Sequence, residues 1–107
     1  MALLEKYATL NVPRTLIKQY DLEVATLFAE LLNKSEMLSQ NDPNFDGWFD
    51  YLMADITANI SITRYGQDKA LELLSDIGFI AIKKEGMPQR KYFKIDFSAV
   101  INHFECL

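Results

Sequence analysis

The chain has 107 residues, half of them hydrophobic and about a quarter charged, the size and balance of one globular domain around a single core. Its formal net charge of −4 excludes a protein that coats nucleic acid indiscriminately. The lone Cys106 cannot form an internal disulfide, which fits a reducing compartment. Met1–Leu10 carries a Glu and a Lys where a signal peptide would be apolar. No run approaches the ~20 apolar residues of a membrane span. A soluble, cytoplasmic protein is therefore expected.

Residues 1–20 read as an N-terminal arm. Tyr7 to Val12 alternate loosely and stop at Pro13, the pattern of a short extended segment. Leu3, Leu4, Tyr7, Leu10 and Val12, followed by Leu16 and Ile17, make this stretch unusually apolar for a chain end. Such surface either packs over the first helix or pairs with a second subunit. The expectation adopted is a dimer interface formed by Leu3, Leu4, Tyr7, Leu10 and Val12.

The first helix occupies segment 21–40. Leu22, Ala25, Ala29 and Leu32 recur at helical spacing, Phe28 and Leu31 widen the stripe, and Glu23, Glu30 and Lys34 fall outside it. Asp21 is the expected N-cap and the helix is predicted over Leu22 to Leu38. Asn41-Asp-Pro-Asn-Phe-Asp-Gly47 is dense in turn formers and reads as a loop. Continued to Asp50, it matches several calcium-loop positions, but Met53 stands where a bidentate Glu is required and Pro43 lies inside, so no metal is expected.

Trp48 to Leu52 (48–52) reads as a short aromatic strand. Within 53–77, Met53 to Asn59 forms a short helix and Ile60-Ser61-Ile62 a tight turn. Thr63 then caps a second helix that stops at Gly78. Ala70, Leu71, Leu74 and Ile77 are its buried stripe. In 79–96, strands Phe79 to Lys84 and Lys91 to Asp96 flank Glu85-Gly-Met-Pro-Gln-Arg90, a connector too long for a two-residue hairpin. Segment 97–107 opens with an amphipathic stretch, Phe97 to Phe104, read as a short helix. Two helices joined by a tight turn and followed by a β-hairpin predict an α+β fold, a winged helix-turn-helix. It carries an N-terminal extension and a short C-terminal helix, in one domain over 1–107.

Charge is unevenly spread. Residues 1–59 hold four Lys/Arg against nine Asp/Glu, whereas residues 60–94 hold seven against four. An acidic body thus carries one basic segment, and local potential decides where a polyanion docks.

In a winged helix the start of the second helix enters the major groove and the wing lies on the backbone or minor groove. Thr63, Arg64, Tyr65, Gln67 and Lys69 are the candidate DNA contacts on the helix, with Arg64 suited to guanine or phosphate and Gln67 to adenine. Tyr65 suits phosphate or the underside of the helix, and Gly66 would allow close backbone approach. The alternative for Arg64 is an i,i+4 pair with Asp68. Asp68, Glu72 and Asp76 form an acidic edge that phosphates repel, which limits the affinity of one monomer and favours a homodimer. On the wing, Lys83, Lys84, Arg90 and Lys91 are candidate phosphate clamps; the alternative is protection of an exposed hairpin edge. Met87 is expected at the tip.

His103 and Cys106 lie three residues apart with no cleft implied around them. There is no Gly-rich phosphate loop, no zinc spacing and no dinucleotide fingerprint. A non-enzymatic protein without catalytic residues or cofactors is expected.

Residues 56–80, Ile-Thr-Ala-Asn-Ile-Ser-Ile-Thr-Arg-Tyr-Gly-Gln-Asp-Lys-Ala-Leu-Glu-Leu-Leu-Ser-Asp-Ile-Gly-Phe-Ile, resemble bacterial winged-helix domains. Lys84-Glu-Gly-Met-Pro-Gln-Arg-Lys-Tyr-Phe-Lys-Ile95 is similar to wings of replication and regulatory proteins of phages, plasmids and low-GC Gram-positive bacteria. Residues 10–32 and Asp46-Gly-Trp-Phe49 are similar to replisome-organiser and DnaD-type primosome N-terminal domains. The resemblance covers roughly residues 10–96. It implies double-stranded DNA binding through the second helix and the wing in replication or transcription regulation, or dimerisation and a scaffold role toward replication proteins.

Overall fold

The computed structural model describes residues 9–105, which form an α+β fold of five helices and one three-stranded antiparallel sheet. The arm holds a helix that the sequence pattern concealed. Pro13, with φ −67°, supplies the preset backbone of a helix start. Behind it α1 (Arg14–Gln19) buries Leu16 completely. Within the 1–20 arm, residues 14–19 are therefore helical.

Asp21 begins α2 (Leu22–Asn41) by accepting from the Val24 N–H at 2.7 Å, satisfying one of the donors a helix leaves open at its start. The twenty residues of α2 span about 30 Å. Its buried stripe, Val24, Ala25, Leu27, Phe28, Leu31 and Ser35, is the spine against which the other elements pack. The loop after it is a turn, with Asp42 Oδ1 accepting from the Asn44 N–H and Asp46 Oδ1 from the Trp48 N–H.

β1 is only Phe49–Asp50. α3 (Met53–Ile60) ends at Ser61 in the left-handed region, φ 59°. The turn Ser61–Thr63 buries Ile62 and leads into α4 (Arg64–Asp76), where Thr63 Oγ1 accepts from the Gly66 N–H at 3.1 Å. Gly78, at φ +84°, turns the chain out of α4 at an angle that a side chain would strain. β2 (Ile80–Glu85) and β3 (Arg90–Ile95) then form a hairpin one residue later at its start, and one earlier at its close, than the pattern predicts. The sheet order is β1-β3-β2, with Phe49 opposite Phe93 and Ile82 opposite Phe93 on the other side. One face of the sheet carries Ile80, Ile82, Phe49, Phe93 and Ile95 onto α2 and α4.

Aromatic rings knit the core, with Phe28 and Phe79 at 5.4 Å and Phe49 and Phe93 at 6.1 Å between centroids. α5 (Phe97–Glu105) starts where Asp96 Oδ1 accepts from the Ala99 N–H. It covers Phe79 with His103, edge-on at 5.1 Å, and His103 Nε2 meets Gln19 Oε1 of α1 at 2.7 Å. His103 is thus a packing residue that ties α5 to α1. Among the described residues no helix is long and apolar enough to cross a membrane.

Candidate nucleic-acid interface

α4 shows one arc to solvent. Arg64, Tyr65, Asp68 and Lys69 lie on it, Tyr65 being 77% exposed, and Glu72 and Asp76 continue it toward the C-terminal end. The side chain of Thr63 is committed to the cap. Arg64 and Lys69 lie in the first two turns with Asp68 between them, and Glu72 and Asp76 follow, so the first turns are the part best able to approach a phosphate backbone.

Two of the expected contacts face the other way. Gln67 is fully buried, and its Nε2 donates to the Met53 carbonyl (3.1 Å), Thr57 Oγ1 (2.8 Å) and the Ile62 carbonyl (3.0 Å). It holds α3 and the turn against α4, and no base edge can reach it. Gly66 is buried too. A Cβ there would stand 2.6 Å from Glu23 Oε2 and 3.1 Å from Ile62 Cγ2, so its missing side chain serves the approach of α2, not of DNA.

The hairpin cations divide by strand alternation. Lys84 and Lys91 are register partners on the face that carries Ile82 and Phe93 toward the helices. Lys83 and Arg90 lie on the opposite face, with Tyr92 and Lys94. Lys91 reaches Asp68 of α4 at 3.5 Å, Arg90 pairs with Asp50 at 3.0 Å, and Lys83 pairs with Glu85 at 3.4 Å. The alternative for Arg64, an i,i+4 pair with Asp68, is not seen; Asp68 pairs with Lys91 instead. Among the described residues Arg64, Lys69 and Lys84 have no ion-pair partner. Arg64, Tyr65 and Lys69 on the helix therefore face solvent near a hairpin whose nearer strand face offers Lys84 and Lys91.

The chain matches no protein-family model, no curated protein and no solved structure.

Of the expected dimer contacts, Leu3, Leu4 and Tyr7 lie outside the described residues. Leu10 is half-buried, and Val12 packs against the chain's own core together with Ile17. For Val12 the alternative, packing inside the subunit, is the one that applies. Two residues that the sequence reading placed in strands but did not count among the site residues, Trp48 and Lys94, meet on the outer sheet face. Lys83 Nζ lies 4.4 Å and Lys94 Nζ 5.9 Å from the Trp48 ring centroid. Alternation along β3 placed Lys94 beside Tyr92 on that side, and this signal was available in the sequence.

Proposed function

We propose that the chain is a non-enzymatic winged helix that docks on duplex DNA as a homodimer, in replication or transcription regulation. α4 is the reading helix and the β2–β3 hairpin is the wing. The contact set reduces to Arg64, Tyr65, Lys69 and Lys84, with Lys91 at its edge. The observation that carries the proposal is the Lys91–Asp68 bridge at 3.5 Å. It brings a hairpin cation beside Asp68 near the start of α4, offsets the carboxylate most damaging to phosphate contact, and leaves Arg64 without an ion-pair partner among the described residues. Arg64 suits a bidentate contact to guanine, and Lys84 suits a phosphate.

Few cations are available, so affinity is modest and strongly dependent on ionic strength. With about three phosphates neutralised by each subunit, and so about six by the dimer, the log–log salt slope is about −5. The test is binding to a mixed duplex pool at two salt concentrations. Wild type should bind saturably at low salt, and Arg64→Ala with Lys84→Ala, which removes two contacts per subunit, should make the slope shallower by about four. A wild-type protein with no saturable binding at low salt ends the proposal.

One observation favours a second reading, a protein-interaction winged helix such as a helicase-loading adaptor. Three of the five hairpin cations are already paired with carboxylates, and Glu72 and Asp76 stay exposed on α4. Absence of duplex binding selects this reading.

A further inference from the structure

We propose that the groove where the start of α2 lies against α4 docks a cationic, amphipathic segment of a partner protein. Two adjoining clefts, of about 120 and 250 Å³, share Asp21, Val24 and Lys69. Together they run along α4 from Tyr65 to Asp76, about three helical turns. Val24 and Ala70 are buried beneath them, Leu73 is half-buried, and Tyr65 is largely exposed at one end. Each cleft is smaller than the roughly 300–1,000 Å³ of a small-molecule site. Their size suits single apolar side chains of a polypeptide, and a groove between two helices is a usual seat for a third.

Charge selects the occupant. Asp21, Glu23, Glu72 and Asp76 line the clefts against one lining cation, Lys69, and none of these five has an ion-pair partner among the described residues. A nucleic acid or an anionic lipid surface is repelled by that lining. The carboxylates are also spread along the groove rather than gathered: among the described residues no group of three or more His, Cys, Asp or Glu is placed to hold a metal ion. Lysines and arginines carried on one polypeptide can meet them separately.

Glu72 and Asp76 point to this partner most directly. Asp21 is engaged in its cap, and Glu23 lies along the first turn of α4, its Oε2 2.6 Å from where a Cβ on Gly66 would stand. Lys91 relieves Asp68. Glu72 and Asp76 have no such relief. They stand four residues apart, where like charges repel. They also lie toward the C-terminal end of α4, where the helix field favours cations, and the last turn holds no basic residue. Chains keep such local conflicts mainly at functional sites. The two positions are about 6 Å apart along the axis, the spacing of two cations one turn apart on a partner helix, with an apolar side chain seated over Leu73.

The inference goes beyond the duplex proposal and does not rest on it. Of the groove residues only Tyr65 and Lys69 belong to the duplex contact set, and Lys69 acts with opposite sign in the two. It would hold a phosphate in one and repel a cation in the other.

The experiment titrates the full chain, at about 0.1 M salt, against a labelled peptide of about eighteen residues in which Leu and Lys are patterned as an amphipathic helix. The same pattern with Glu for Lys, and an oligolysine of equal length, run beside it, and anisotropy is read. Saturable binding of the Leu–Lys peptide is expected, with both comparison peptides at least about tenfold weaker. Glu72→Lys with Asp76→Lys should weaken it about tenfold and raise the urea midpoint, because the conflict in α4 is removed. Should that variant melt early instead, Glu72→Gln with Asp76→Asn carries the comparison. Glu36→Lys with Glu105→Lys, the same change of net charge outside the groove, should stay within about threefold of wild type. Lys69→Gln should tighten the peptide about twofold and weaken the duplex. The proposal is overturned if the wild type shows no saturable binding of the Leu–Lys peptide, or if either comparison peptide binds as tightly. It is equally overturned if the Glu36/Glu105 variant loses as much as the Glu72/Asp76 variant, or if Lys69→Gln weakens the peptide. Peptide binding without duplex binding upholds the groove and rejects the duplex proposal, and duplex binding without peptide binding does the reverse.

Discussion

Gln67 donates from one amide nitrogen to three oxygens of α3 and the turn, while its own Oε1, buried with it, has no partner. Those opposing terms set the outcome of substitution. Gln67→Met forfeits the donated bonds but also removes the orphaned oxygen, so the net loss should stay near 1 kcal/mol. Gln67→Glu points a carboxylate at three acceptors and should cost more than about 3 kcal/mol at neutral pH. Burial raises that carboxyl's folded pKa above the ordinary glutamate value, so the variant's stability is greatest below that value and is lost as pH rises through the raised one. Urea midpoints at neutral and mildly acidic pH check both statements; a Glu variant as stable as wild type at neutral pH would contradict them. Tyr51 makes a milder case. Burial, with help from the charges of Glu30 and Asp55, raises its phenol above the usual 10.0 and outweighs the hydrogen bond from Asn59 that lowers it. Its contribution is present below pH 10.0 and fades as pH climbs through the raised value. Tyr51→Phe should flatten the alkaline arm of a stability–pH curve, and an unchanged arm would refute this.

At the scale of elements, a strong period and a chemically specific end made helices readable. α2 and α4 had both: apolar recurrence over several turns, Asp21 or Thr63 at the start, and for α4 a glycine just past the end. Thr63→Ala should therefore cost about 1 kcal/mol, measured as a lower urea midpoint with an unchanged slope. A neutral result would mean that water replaces the cap. α1 escaped notice because six residues are too few to establish a period, and Leu16-Ile17 alone suits a strand equally well. Gln67 escaped for a different reason. It stands four residues before Leu71 and seven before Leu74, so it continues the buried stripe backwards, and only its polarity made it look external. The hairpin was legible as a whole, whereas the two faces of its cations required applying period two to each lysine in turn.

For the whole molecule, the basic segment between residues 60 and 94 is real in sequence but is distributed in space over two surfaces, each partly neutralised by nearby carboxylates, Asp68 on one and Asp50 and Glu85 on the other. Composition could locate the cations; strand alternation divides them between the two faces, and the register of β2 against β3 and the reach of Lys91 to Asp68 fix which face meets α4. The dimer is likewise a question of which apolar residues are left over. Leu16 and Val12 are used internally, so a deletion aimed at the interface has to stop before them. Removing residues 1–8 should convert a dimer to a monomer by light scattering with little change in melting temperature. Removing residues 1–19 should cost about 2–5 kcal/mol, as expected for a vacated leucine site. A monomeric full-length chain would take the dimer out of the proposal. Met87, finally, is 98% exposed where β2 turns into β3. Its thioether is open to any oxidant, and because no core contact depends on it, conversion to the sulfoxide leaves folding intact. An aged preparation would then melt normally while presenting a chemically different tip to whatever it binds.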